Sequence, residues 1–309
     1  MINISVIIPH YNSVNYLVKL IRTVPDREDI EVIIIDDNST EGVEELSKLI
    51  VKYGRANLYL LKNKTGKKGA GTCRNIGLKN AKGKWVVFAD SDDFFTDNAF
   101  SFYDTKIDST ADVIYSYSRS EILGTGEISD RGDEYKKNIK AYIEEPSLEN
   151  KYYILFGMNS PCLKLIRREF LNKNHIMFDE TMVSNDVMFS TKVGYYAGNI
   201  EICDECTYCI TKSERGTLTT TYNLNELMTR VEVFVNWYVF LSSVEGKNYC
   251  PKYYISFPGI KYIKRAICEK YGITTVLKII MIYRRNHIKW WCVHPTKILR
   301  IIRKRVVSR

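Results

Sequence analysis

Acidic side chains are missing from residues 278–309, which carry ten basic ones (Lys278, Arg284, Arg285, Lys289, Lys297, Arg300, Arg303, Lys304, Arg305 and Arg309). The formal charge of the whole chain is +9, so residues 1–277 are left at about −1. Whatever partner the basic charge implies is therefore a partner of the tail and not of the body. Long apolar runs are also missing: no stretch approaches the roughly 18 residues needed to cross a bilayer. The opening Met1-Ile2-Asn3-Ile4 has no basic residue before its apolar run, so no signal peptide is expected. Proline and glycine, at 7 and 17 copies in 309 residues, are too few for a low-complexity linker, and no internal repeat is found. An intracellular protein with reduced cysteines is expected. Cys203, Cys206 and Cys209 have CxxC spacing but no fourth ligand nearby. An extended segment there would turn Cys206 and Cys209 to opposite faces, so a structural role is expected over zinc.

What is present reads as strands alternating with helices. Ile4–Ile8 is a β-branched run ended by Pro9, and Asn12 or Ser13 is placed to cap a helix bearing Tyr16, Leu17, Leu20, Ile21 and Val24. Val32–Ile35, Leu58–Leu61 and Trp85–Ala89 are further strands. Helices are predicted over 41–53 and, capped by Thr72, over 72–81. The alternation implies an α/β fold with a mostly parallel central sheet and helices on both faces. After about residue 110 a strand is expected over 112–118, an irregular polar excursion over 119–150, a helix over 176–196 and a late strand over 200–211. From about 222 a stripe of Leu227, Val231, Phe234, Val235, Tyr238 and Leu241 predicts a helix packed on the catalytic domain. The expected division is 1–220, with halves 1–110 and 111–220, followed by a helical extension over 221–309.

Three polar clusters follow core strands: Pro9-His10-Tyr11-Asn12, Asp36-Asp37-Asn38-Ser39 and Asp90-Ser91-Asp92-Asp93. Ligands of open α/β sheets bind beyond the carboxyl ends of the strands, so the clusters are expected in one crevice. Asp90 and Asp92 suit a divalent cation, Mg²⁺ or Mn²⁺, bridging a diphosphate whose charge grows as it leaves. Alone, such a pair is more often a solvated strand end. Asp36 and Asp37 can accept from a ribose or base, and Tyr11 can stack on a base; the plainer reading is a polar turn ahead of a helix. The segment Thr65–Asn75 is basic and glycine-rich before a helix, so an anion is expected there. It is neither a phosphate-binding Walker loop nor a dinucleotide fingerprint, because the Lys-Ser/Thr pair and the third glycine are absent.

Taken in order, Ser5–Asn12, Ile35–Thr40, Arg74-Asn75-x-Gly77 and Phe88–Asp93 resemble the signature set of glycosyltransferase family 2, closely over residues 1–93 and loosely to about 220. The resemblance implies a GT-A (Rossmann-like) fold and an inverting, metal-dependent hexosyl transfer from a nucleotide-sugar, most often a UDP-sugar. It implies that Pro9, Tyr11 and Asp37 hold the base, that Asp90 lies by the ribose or metal, that Asp92 is the main metal ligand, and that Arg74 positions the nucleotide. Asn12 and Ser91 are counted with that site. An inverting enzyme needs a general base. The family's base lies in a Glu-Asp pair before a helix; here Ser184-Asn185-Asp186 keeps Asp186 and puts Asn185 in place of Glu, so Asp186 is the expected base. Lys164, within Ser160–Leu165, resembles the acceptor side, Arg215 a mobile loop over the diphosphate, and Asp93 a neighbour of the donor sugar or a helix cap.

Trp290, Trp291 and Tyr283 among the basic residues of 278–309 suit an anionic membrane surface. Relatives of this type often extend a polyprenyl-diphosphate-linked saccharide in capsule, O-antigen or exopolysaccharide synthesis. A cytoplasmic protein at the inner face of the cell membrane is therefore expected, with no nucleic-acid partner. Two other readings are a sugar-nucleotide nucleotidyltransferase, which would want a glycine-arginine loop after the first strand, and a non-enzymatic protein binding nucleic acid or membrane through its tail.

Overall fold

The computed structural model describes residues 1–53, 57–212, 223–243 and 258–288. Strands β1 (Ile4–His10), β2 (Ile30–Asp36), β3 (Leu58–Lys62) and β4 (Trp85–Phe88) lie parallel in the order β3-β2-β1-β4. Every residue of β1, β2 and β4 is buried. That explains why these strands read as continuous apolar runs without alternation. Helices α1 (Val14–Thr23), α2 (Val43–Tyr53) and α3 (Ala70–Asn80) connect them. A Cβ on Gly77 of α3 would stand 2.3 Å from Ile7 Cγ2, so glycine is what lets that helix lie directly on β1.

The sheet continues beyond β4 through β5 (Phe94–Phe95), β6 (Val113–Ile122), β7 (Lys164–Arg167) and β8 (Ile200–Lys212), in the full order β3-β2-β1-β4-β7-β6-β8-β5. Pairs β4–β7, β6–β7 and β5–β8 are antiparallel and β6–β8 is parallel. The sheet is thus mostly parallel, as expected, with its antiparallel pairings made by β7 and β5. Helices α4 (Ala99–Asp104), α5 (Asp133–Glu144), α6 (Leu148–Tyr152), α7 (Arg168–Lys173) and α8 (Asn185–Tyr196) complete this region.

Several local expectations are corrected. Pro9 does not end β1, which runs to His10. His10 carbonyl accepts from Asp37 N–H on the β2 side and Ile7 carbonyl from Ala89 N–H on the β4 side. Pro9 shares the parity of Ile7 and faces past the end of β4, where no ladder partner needs its missing N–H. Thr72 lies inside α3, whose N-cap is Gly69 at φ 120°. Residues 119–150 are largely regular, since β6 extends to Ile122 and α5 fills 133–144. Ile139 is the fully buried residue of α5, and Tyr135, Ile139, Tyr142 and Ile143 stand at helical spacing, a short period that the polar residues around it obscured. Helix α8 starts at Asn185 and not near 176, because Ser184 is left-handed at φ 57°. Before it, Phe178 is stitched to Asn75 by two hydrogen bonds of 2.9 and 3.0 Å, and its ring stacks on Phe189 at 3.7 Å.

The chain divides into two compact units, Met1–Thr217 and Leu218–Arg309. In the second, α9 (Leu224–Ser243), α10 (Pro258–Cys268) and α11 (Ile273–Arg285) share a core. Phe234 of the expected apolar stripe meets Tyr262 and Tyr283 of its own unit at 5.9 and 5.6 Å. No helix among the described residues is long and apolar enough to cross a membrane. Arg215 and residues 289–309, with Trp290 and Trp291, lie outside the described residues.

Candidate active site

The three polar clusters leave the ends of β1, β2 and β4, and hydrogen bonds join them. Asn12 Oδ1 accepts from Thr40 N–H at 2.9 Å and Glu41 N–H at 3.2 Å, and Asn12 N–H donates to Ser39 Oγ at 3.0 Å. Asn12 takes a left-handed backbone (φ 50°) to do so, a conformation asparagine tolerates better than most residues. Asp36 accepts from Ser39 N–H. Tyr11 is 48% exposed, and Lys68 Nζ stands over one face of its ring, 5.3 Å from the centre.

Asp37 is buried and already engaged. Its carboxylate accepts from Asn63 Nδ2 at 2.6 Å and from Gly69 N–H at 2.7 Å. The anion at the start of α3 is thus a side chain of this chain, which changes the meaning of the glycine-rich segment. Its glycines serve packing as well. A Cβ on Gly71 would fall 2.2 Å from Asp179 carbonyl oxygen and 2.8 Å from Asn185 Cβ.

Strand β8 braces the acidic turn after β4. Asp90 N–H donates to Tyr208 Oη at 2.8 Å, Thr211 Oγ1 donates to Asp92 carbonyl at 2.8 Å, and Thr211 N–H donates to Asp93 Oδ1 at 2.7 Å. Asp93 is therefore a buried clamp between turn and strand, and burial followed by the charges of Asp92 and Asp90 lifts its pKa well above the carboxylate range. The Asp92 carboxyl is also raised, by partial withdrawal from water and then by Asp90. A carboxylate whose ionisation is opposed by a like charge beside it favours a cation nearby. Mg²⁺ or Mn²⁺ accepts one or two carboxylates plus phosphate and water, so the donor set of Asp92 with Asp90 fits such an ion. Among the described residues no group of three or more His, Cys, Asp or Glu side chains is arranged for a metal.

Arg74 of α3 connects this turn to the start of α8. Its Nη2 pairs with Asp90 Oδ1 at 2.5 Å and its Nη1 donates to Asn185 Oδ1 at 2.8 Å. Burial opposes the guanidinium charge, and Asp90, with Cys162 and Asp186 behind it, more than restores it. Asp186 lies in the first turn of α8. Its pKa is raised by burial against the opposing charge of Arg74, which is the direction a general base near neutral pH requires.

Lys164 is fully buried on β7. Its Nζ donates to the carbonyls of Met158 and Ser160 at 2.6 and 2.7 Å and to Ser190 Oγ at 3.3 Å, and burial pulls its pKa down to about 7. Ser190 is on α8, so Lys164 ties the corner at 158–160 to the helix that carries Asp186. Two residues that sequence reasoning passed over also act here. Arg131 donates to Thr211 carbonyl at 2.9 Å and its charge reaches Asp92 and Asp93. Tyr135 of α5 is pushed up to about 12 by burial and then by Asp186. Both lie in the stretch expected to be irregular.

Residues 5–174 match the family described as glycosyl transferase family 2. A poly(ribitol-phosphate) beta-N-acetylglucosaminyltransferase, TarS of Staphylococcus aureus, is 29% identical over 229 residues, covering 72% of this chain and 38% of that protein. The chain therefore spans well under half the length of this relative. The crystal structure of TarS 1–349 in complex with UDP-GlcNAc superposes with a TM-score of 0.62 at 25% identity, over 79% of this chain and 68% of that one. The mannosyltransferase PcManGT from Pyrobaculum calidifontis, in complex with GDP-Man and Mn²⁺, superposes with a TM-score of 0.59 at 13% identity, over 97% and 85% of the two chains, and shares the fold.

Proposed function

The chain belongs to glycosyl transferase family 2, and on that premise we propose that it is an inverting, metal-dependent hexosyltransferase using a UDP-sugar, with UDP-GlcNAc the first donor to test. The observation that supports this reading is the bridge from Asp90 through Arg74 to Asn185, which ties the acidic turn to the residue before Asp186. Asp92 with Asp90 would hold Mn²⁺ or Mg²⁺, which supplies positive charge to the departing diphosphate. Pro9, Tyr11, Asn12, Asp37 and Ser91 form the nucleotide side, with Tyr11 stacked on the base. The Asp186 carboxylate takes the proton of an acceptor hydroxyl. The acceptor oxygen then bonds to the anomeric carbon from the face opposite the nucleotide, and the bond to the diphosphate breaks with inversion. Removing the proton as the new bond forms lowers the barrier.

The acceptor we propose is a hydroxyl of a polyprenyl-diphosphate-linked saccharide in cell-surface polysaccharide synthesis, reached from the inner face of the membrane. Helix α11 supports this part. Ile273, Leu277 and Met281 are 66, 50 and 51% exposed at four-residue spacing, with Lys278, Arg284 and Arg285 on the same helix. An apolar stripe beside basic residues suits an anionic bilayer surface. A panel of UDP-, GDP- and dTDP-sugars assayed with and without Mn²⁺ tests the donor reading. Turnover of a UDP-sugar that Asp92→Ala abolishes supports it, and metal-independent turnover by Asp92→Ala overturns it. Flotation with phosphatidylglycerol and phosphatidylcholine vesicles tests the membrane reading; equal binding to both overturns the electrostatic part.

A further inference from the structure

Ser13 stands at the N-cap of α1, yet its hydroxyl caps nothing. N-cap serines ordinarily give their oxygen to an N–H of the first turn. Here Ser13 Oγ lies 3.1 Å from His10 Nδ1 and 2.7 Å from Ser91 Oγ in the acidic turn. His10 is buried, and its other ring nitrogen, Nε2, has no hydrogen-bond partner. Burial lowers its pKa against the pull of Asp36, so the ring is neutral and carries one proton.

That proton has two possible places. On Nε2 it would make a buried N–H with no acceptor, and orphaned buried N–H groups are rarer than under-satisfied acceptors. On Nδ1 it leaves only a bare lone pair at Nε2 and donates to Ser13 Oγ. Ser13 then keeps its own hydrogen, which has Ser91 Oγ as an acceptor 2.7 Å away. Ser91 has then accepted too, and its hydrogen is left for a group outside the chain. The other tautomer reverses both bonds and leaves Ser91 only lone pairs to offer. Between the carboxylates of Asp90 and Asp92, lone pairs would repel a diphosphate and a hydrogen would attract it.

We propose that His10, acting through Ser13, fixes Ser91 as a hydrogen-bond donor to an anionic oxygen of the nucleotide-sugar, making His10 and Ser13 positioning residues for donor binding. The inference rests on the donor reading above.

Two measurements on the full chain test it. Imidazole ¹⁵N spectra, with the His10 signal assigned by its loss in His10→Asn, should show the neutral Nδ1–H tautomer. An Nε2–H tautomer overturns the relay whatever the protein binds. In titrations with UDP and Mn²⁺, Asn at position 10 can place its amide nitrogen where Nδ1 stands and should bind nearly as wild type. His10→Leu and Ser13→Ala should each lose about tenfold or more in affinity, the worth of one hydrogen bond to a charged group, while remaining folded. With saturating donor, kcat should change far less than KM. Wild-type affinity in both His10→Leu and Ser13→Ala overturns the proposal. A wild-type protein that binds no nucleoside diphosphate overturns the donor reading itself and leaves the tautomer result standing.

Discussion

Arg74 Nη1 donates to Asn185 Oδ1 over 2.8 Å, joining α3 to the first residue of α8 across 111 positions of sequence. The same guanidinium holds Asp90 with its other terminal nitrogen. A planar fork suits two partners fixed on different elements, and an ammonium does not replace it. Arg74→Lys should keep one partner and lose the other, lowering kcat/KM by roughly tenfold or more. Steady-state kinetics check this; unchanged kcat/KM would show that the bridge is incidental.

Asn185 is neutral where the family's pattern has Glu. Asp186 therefore has one fewer negative neighbour, although burial still raises its pKa. As the proposed base, Asp186 must be ionised to act, so kcat should rise with pH through a limb above the ordinary Asp range. Asn185→Glu adds a like charge beside Asp186 and should move that limb to higher pH. A pH–rate profile of both proteins checks the shift, and a limb that moves down contradicts it.

Lys164 gives a pH dependence of stability with a definite sign. Its folded pKa, about 7, lies below its ordinary 10.5. Between those values the unfolded chain holds a proton that the folded chain has lost, so raising the pH favours folding. The cost of burying the charge is fully present below pH 7 and is relieved toward pH 10.5. Lys164→Met lacks this term. The Tm of wild type minus that of Lys164→Met should increase from about pH 7 upward, measured by thermal melts; a flat or falling difference contradicts it.

Gly71 marks where α3 touches the segment before α8. Gly71→Ala would put a methyl 2.2 Å from Asp179 carbonyl oxygen, so the backbone at 179–185 must move. A loss of about 1–3 kcal/mol in urea unfolding is expected, with reduced transfer because Asn185 and Asp186 shift together.

How much of this was legible from the sequence depended on burial. β1, β2 and β4 are covered on both faces, so their apolar runs and the polar residues at their ends stood out. Asp90, Asp92 and Asp186 were visible because each follows or opens an element. The engagement of Asp37 with Asn63 and Gly69 was not visible, since those partners come from separate loops. Nor was the bracing of Asp90, Asp92 and Asp93 by Tyr208 and Thr211, which is set by the non-local placement of β5 beside β8. Arg131 escaped because it lies in the turn before α5, and Tyr135 because the apolar spacing of that helix is short and set among charged residues. Ser13 read as a helix cap because N-cap preference is local, whereas the bond it makes spans 78 residues.

In the proposed reaction Asp186 removes the acceptor proton while the acidic turn holds the donor. Measuring UDP-sugar binding and sugar transfer side by side in Asp186→Asn tests it most directly. Donor affinity should stay near that of wild type while transfer falls by about 10²–10⁴-fold, the range of general-base catalysis. Transfer at a near-normal rate in Asp186→Asn would contradict the assignment.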